Sequence, residues 1–161
     1  MADVIADGRT KVAFVPTIAD KTAPTVTELE AGDELQHVMT ADGLVGFEAT
    51  TAEVDNTSLA STFDTRKAGR ASFSGTMLRL KKQSGTDTVK STLTRGTSGF
   101  IVIRRSLPES QPWAASDEVE VYPIECGAPR LLPPEANSVE RYEVPTMITD
   151  EPVLDAEVVA A

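Results

Sequence analysis

The 161-residue sequence predicts a mainly β fold, a sandwich or barrel with one packed α-helix, a long inter-strand loop and extended terminal arms. Three observations carry this prediction. Short apolar and β-branched runs recur with the two-residue period of strands. Ten glycines and ten prolines, with abundant threonine, favour strands and turns over helices. One segment, opening at Asp87, carries the clear signals of a helix with both a start and a stop. The length suits one domain over residues 11–148 with tails. A hydrophobic content of 40% with 5% aromatics implies a modest, aliphatic core.

Residues 1–10 are polar and read as an N-terminal arm. Lys11–Val15 reads as a short strand stopped by Pro16. Thr27-Glu28-Leu29-Glu30 has the capping-box pattern, with Gly32 closing a helix of one or two turns. Residues 35–40 and 45–54 read as two strands joined by a hairpin turn at Asp42-Gly43. Residues 55–70 are polar and aperiodic, a loop of roughly 15 residues where ~4–6 is usual; Leu59 and Phe63 give it apolar anchors. Residues 72–82 read as a long strand with Leu78 and Leu80 on one face and Arg79 and Lys81 on the other. Asp87 is an N-cap for a helix over 87–95 that buries Val89 and Leu93 and stops at Gly96. Residues 99–105 form a continuously apolar run that turns basic, a strand buried on both faces. Residues 117–124 alternate, with Glu118, Glu120 and Tyr122 outward and Val119 and Val121 inward. Residues 139–148 form a strand that Pro145 places at a sheet edge. Residues 149–161 read as a C-terminal arm.

Charge is sorted along the chain. Residues 1–65 hold twelve Asp/Glu against three Lys/Arg, residues 66–105 one acid against ten bases, and residues 106–161 twelve acids against two bases. Such blocks can put complementary surfaces on one molecule, so that copies attract one another. Alternatively, the fold brings the blocks together and they cancel locally. A net charge of −10 disfavours tight wrapping of nucleic acid, which needs a basic surface. It does not stop DNA from sliding past an acidic wall. Cys126 is the lone cysteine, so no intrachain disulfide forms and a reducing compartment fits. The N-terminus shows neither a basic n-region nor an apolar h-region, and no apolar run approaches the ~20 residues of a membrane helix.

Candidate chemistry is sparse. His37, the only histidine, lacks a neighbouring Ser or Cys motif and reads as a surface or satisfied strand histidine. One Cys and one His do not make a structural zinc site. Gly96-Thr97-Ser98-Gly99 could cradle an anion but reads better as a helix stop and turn. Asp117, Glu118 and Glu120 offer acids on a strand without a third fixed oxygen ligand for a hard cation. Trp113 reads as a packing residue. The sequence therefore implies no enzyme, cofactor or metal site, and an enzyme of nucleotide metabolism on a β-barrel is the weakest of the readings.

Four stretches, taken in order, carry a family likeness: Ala13-Phe14-Val15-Pro16-Thr17-Ile18; Met39-Thr40-Ala41-Asp42-Gly43-Leu44; residues 55–63 with Gly69-Arg70; and residues 119–127, Val-Glu-Val-Tyr-Pro-Ile-Glu-Cys-Gly. Together they resemble the tail tube (major tail) proteins of long, non-contractile-tailed phages, especially those of actinobacterial hosts. The resemblance implies a β-sandwich or barrel with one flanking helix, six copies per ring, and rings stacked head to tail into a tube that conducts the genome from capsid to host. It implies a virion protein assembled in the host bacterial cytoplasm. Its partners would be further copies of itself, with tail terminator and distal tail proteins at the tube ends and no membrane. Tape measure protein and DNA would pass through the lumen. It places ring-to-ring contacts on the 55–70 loop and the two arms. On this reading Leu59, Phe63, Arg66, Lys67 and Arg70 touch a neighbour's surface, and Arg79, Lys81 and Arg104 lie along sheet faces toward neighbours or solvent. Glu118 and Glu120 are candidate lumen-facing acids. The competing reading is another virion ring or decoration protein, a tail terminator or a head decoration protein.

Overall fold

The structure, a computed structural model, describes residues 1–160. Eleven strands and two short helices occur among them. In chain order they are β1 (Lys11–Val15), α1 (Val26–Glu30), β2 (Asp33–Glu34), β3 (Met39–Val45), β4 (Thr50–Asp55), β5 (Arg66–Ser72), β6 (Met77–Lys81), α2 (Thr88–Thr92), β7 (Ser98–Arg104), β8 (Glu118–Cys126), β9 (Arg130–Leu131), β10 (Arg141–Ile148) and β11 (Val153–Glu157). Nine strands make one antiparallel sheet in the order β2-β1-β7-β8-β10-β6-β3, with β11 beside β8 and β9 beside β10. The mainly β expectation holds, with a sheet curled into half a barrel.

The curl has a specific origin in β10. Its residues 141–145 pair with β6, and its residues 146–148 pair with β8. One strand thus belongs to both halves, and the sheet folds back on itself there. Pro145 sits at the changeover, opposite Met77 at the end of the β6 ladder. The edge placement expected from Pro145 is therefore wrong. Its missing N–H falls where one ladder gives way to the other, so an interior strand tolerates it.

Burial on both faces of the central strands explains their sequence. Val12, Phe14, Ile101, Ile103, Tyr122 and Ile124 join Leu78, Leu80, Tyr142 and Val144 inside the curl. The alternate residues Ala13, Val15, Val102, Val119 and Val121 pack outward against Leu29, Trp113, Ala156 and Val158. Tyr122, expected outward, points into the curl and meets Phe47 and Phe73 edge-to-face at 5.0 and 5.7 Å. The residues expected as a C-terminal arm supply part of this second core. β11 pairs with β8, and the Val158 N–H donates to the Asp117 carbonyl at 2.9 Å. Ala161 lies outside the described residues.

Three local expectations shift. The capping box of α1 is Thr25 with Glu28, two residues earlier than expected. Thr25 Oγ1 accepts the Glu28 N–H, and Glu28 Oε2 accepts the Thr25 N–H. Starting there turns Leu29 into the core, and the Thr25 and Ala19 N–H groups that donate to the Glu28 carboxylate hold it below its ordinary range. Asp42-Gly43 does not turn the chain; it lies within β3, at an irregularity in the pairing with β6. The positive φ falls instead on Gly46, at 76°. α2 keeps its Asp87 N-cap and buries Leu93, yet its regular turns end at Thr92.

Gly99 opens β7 where the backbone passes the Phe14 ring. A Cβ there would sit 2.6 Å from Phe14 Cε2 and Cζ. Phe14 is locked in the core, so Gly99→Ala is expected to cost about 1–3 kcal/mol, read as a lower urea midpoint with an unchanged slope. Gly96, at φ 86°, supplies the turn before it, so Gly96-Thr97-Ser98-Gly99 is a stop followed by a strand.

Candidate functional site

Residues 50–72 do something the rest of the chain does not. β4 and β5 pair only with each other, forming a two-stranded hairpin separate from the main sheet. The loop expected over 55–70 is thus the outer part of a hairpin. Its strands are exposed along their length, with only Gly69 half-buried. Its polar, aperiodic sequence follows, since apolar alternation marks a strand with one buried face.

The tip is ordered by its own polar side chains. The Thr57 N–H donates to Asp55 Oδ1 at 2.9 Å, and the Thr65 N–H to Thr57 Oγ1 at 2.9 Å. Ser61 Oγ donates to the Phe63 carbonyl at 2.7 Å. The Thr57 contacts hold the Asp55 carboxyl below its ordinary range. On this tip Leu59 and Phe63 stand at 106% and 75% exposure. Neither is covered by its own subunit.

The hairpin has two unlike faces, because residues directly opposite across a ladder share a face. One face carries Glu53 opposite Ala68 and Asp55 opposite Arg66. Arg66 Nη1 lies 3.9 Å from Glu53 Oε2, so this face is largely self-compensated. The other carries Val54 opposite Lys67 and Thr50 opposite Ser72, without an acid. Arg70 lines a groove of about 630 Å³ between the base of the hairpin and the β10–β11 segment, whose walls include Phe73, Ile148, Pro152 and Leu154.

The ion pairs decide what the charge blocks do. Arg79 bridges Asp42 at 2.7 Å and Glu143 at 3.0 Å. Arg105 takes Glu120 at 2.9 Å, and Lys82 approaches Glu140 at 3.8 Å. Arg104 is fully buried and pairs with Asp117 at 2.9 Å. Half of the basic block is therefore matched within the subunit. Arg104 serves the interior, not a neighbour or solvent, whereas Arg79 lies half-exposed on the sheet face between Asp42 and Glu143. Among the described residues Lys67, Arg70, Lys81, Lys90 and Arg95 have no ion pair within the chain. Two of these five stand on the hairpin.

Arg104 is the residue whose importance the sequence hides. Its Nη1 and Nη2 donate to the carbonyls of Pro108, Gln111 and Pro112 as well as to Asp117. It also lies over the Trp113 ring, 5.2 Å from the centroid, as does Lys11 Nζ. One guanidinium thus folds the whole 105–117 connection onto the sheet. A basic residue ending an apolar run, followed by two prolines and an Asp thirteen positions on, was the only available signal.

The other sequence candidates fall on surfaces or in the core. Glu118 is exposed and stands opposite Glu157 of β11. Glu120 is half-buried, with its carboxylate against Arg105. His37 is exposed, 3.3 Å from Glu109. Cys126 is buried, and burial pushes its thiol up to about 11, which leaves it protonated and unreactive. Among the described residues no group of three or more His, Cys, Asp or Glu could hold a metal ion, and no helix is long and apolar enough to cross a membrane.

In its fold the chain is similar to one in the six-fold-symmetrised cryo-EM structure of the anti-feeding prophage baseplate. The TM-score is 0.63 at 10% identity, covering 95% of this chain and 97% of that one. A search of curated proteins finds no match. The sequence profile of the family described as phage tail tube protein matches residues 1–161. The chain belongs to the phage tail tube protein family and is a structural protein of the phage tail.

Proposed function

We propose that this chain forms six-membered rings that stack head to tail into a tail tube, through which the genome passes from capsid to host. The observation that carries the reading is the β4–β5 hairpin. An isolated two-stranded hairpin is marginal in water and needs a packed face. This one holds Leu59 and Phe63 in solvent and leaves Lys67 and Arg70 unpaired. All four are suited to burial against another copy. The six-fold symmetry of the prophage baseplate supports the ring number. We place the ring-to-ring contact on Leu59, Phe63, Lys67 and Arg70, with Arg66 contributing less because Glu53 already faces it.

For the lumen wall we propose the end of β8 that carries Glu118. Like charge would keep phosphate from adhering there. Glu120 would add less, since Arg105 compensates it. On this reading tape measure protein and DNA pass along the wall, and terminator and distal tail proteins close the ends. Assembly takes place in the host cytoplasm.

Negative-stain microscopy of the purified full chain tests the proposal. Tubes of uniform width with six-fold end views are the expected result. Closed single rings that never lengthen point instead to a terminator, and a chain that stays monomeric at high concentration overturns self-assembly.

A further inference from the structure

The hairpin and the groove at its base are two ends of one element. The ladder from Asp55–Arg66 to Thr50–Ser72 spans five residue steps, roughly 17 Å at ~3.3 Å per residue. At the far end stand Leu59, Phe63 and Asp64; at the near end lies the groove walled by Phe73, Ile148, Pro152 and Leu154. Each end carries one acid and one base that can pair across a contact. The groove presents Arg70, unpaired within the chain, and Glu151; its other acid, Asp150, is already held by Lys21 at 2.8 Å. The tip region presents Asp64 and the unpaired Lys67. An incoming tip would therefore set Asp64 against Arg70 and Lys67 against Glu151, while Leu59 and Phe63 fill the apolar walls.

We infer that the hairpin tip of one copy docks in the hairpin-base groove of the next, with the Asp64–Arg70 pair fixing the register. This rests on the stacking role proposed above and gives it a receptor. The pairing is heterologous, because tip and groove are different surfaces. Each docked pair leaves one free tip and one free groove, so the contact propagates along the hairpin direction and does not close on itself. That is the symmetry a growing tube needs, whereas the contacts within a ring must close.

Charge reversal with exchange tests the pairing on the full chain. Asp64 and Arg70 are both exposed, so Arg70→Glu and Asp64→Arg are expected to keep the wild-type unfolding midpoint. Each alone sets like charges face to face and is expected to shorten tubes at least about tenfold. Mixed in equal amounts, the two variants are expected to grow alternating tubes, since each supplies the other's complement in both directions. The double variant Asp64→Arg/Arg70→Glu is expected to regain tube length on its own. Unaffected single variants overturn the docking, and so do a mixture and a double variant that both stay as short as the singles. The stacking role of the hairpin is read separately, from tip variants at Leu59 and Phe63. If those lose tubes while the charge exchange has no effect, the hairpin reading stands and the groove is the wrong receptor.

Discussion

Asp117→Ala is expected to lower the thermal unfolding midpoint by roughly 10 °C, the largest effect of any single substitution considered. The reason is the state in which it leaves Arg104. That guanidinium is fully buried at the end of β7, and Asp117 is its only anionic partner among the described residues. Removing one partner of a buried ion pair strands the other charge, at a cost of about 3–5 kcal/mol. For a chain of this length each kcal/mol is worth about 2–4 °C. The Asp117 carboxylate also accepts the Ala114 N–H at 3.1 Å, so the loop carrying Trp113 loosens as well. Replacing both members by apolar residues, Arg104→Met/Asp117→Leu, is expected to restore little. The part-buried carbonyls of Pro108, Gln111 and Pro112 then lose the donor that ties the loop to the sheet. Scanning calorimetry reads both variants. A midpoint for Asp117→Ala within about 2 °C of wild type would show that the pair does not anchor the loop.

Leu59→Asp combined with Phe63→Asp is expected to abolish tube growth while leaving the subunit as stable as before. Both side chains stand in solvent in the single chain, and surface substitutions of that kind change stability by no more than about 0.5 kcal/mol. At the proposed contact each would be buried, and each burial contributes about 1.5–3 kcal/mol. Losing both weakens every ring-to-ring contact by at least two decades in affinity. In the proposed six-membered ring, six such contacts per junction would multiply the loss. Sedimentation velocity and microscopy would show free subunits or rings and no tubes, with an unchanged unfolding midpoint. Normal tubes from this variant would remove the hairpin from the assembly contact.

Particular residues show how far the sequence reached. Leu78 and Leu80 against Arg79 and Lys81, the Asp87 cap and the doubly buried run ending at Arg104 were legible, because each follows from period, cap chemistry or burial along one strand. The hairpin was read as a loop because β5, Arg-Lys-Ala-Gly-Arg-Ala-Ser, has no buried face and so no apolar rhythm. Pro145 misled because the rule that keeps proline at edges assumes one partner ladder, and β10 has two in succession. The Asp-Gly pair misled because its turn preference is local, while the pairing of β3 with β6 is long-range. The residues expected as a C-terminal arm carry only a weak apolar signal, Ala156 and Val158, yet both are buried. As for the site, the sequence named Leu59, Phe63, Lys67 and Arg70 as contacts with a neighbour, and the structure leaves all four exposed. The sequence could not separate Arg66 and Arg104 from the unpaired cations, since pairing depends on which acids the fold brings near.

The proposed role of the β4–β5 hairpin is to join successive rings. A cryo-EM reconstruction of tubes grown from the full chain tests it most directly. The expected map shows the hairpin of each subunit lying against the next ring, with Leu59 and Phe63 covered. Rings that touch through other surfaces, while the hairpin stands free in solvent or lies against its own subunit, would contradict it.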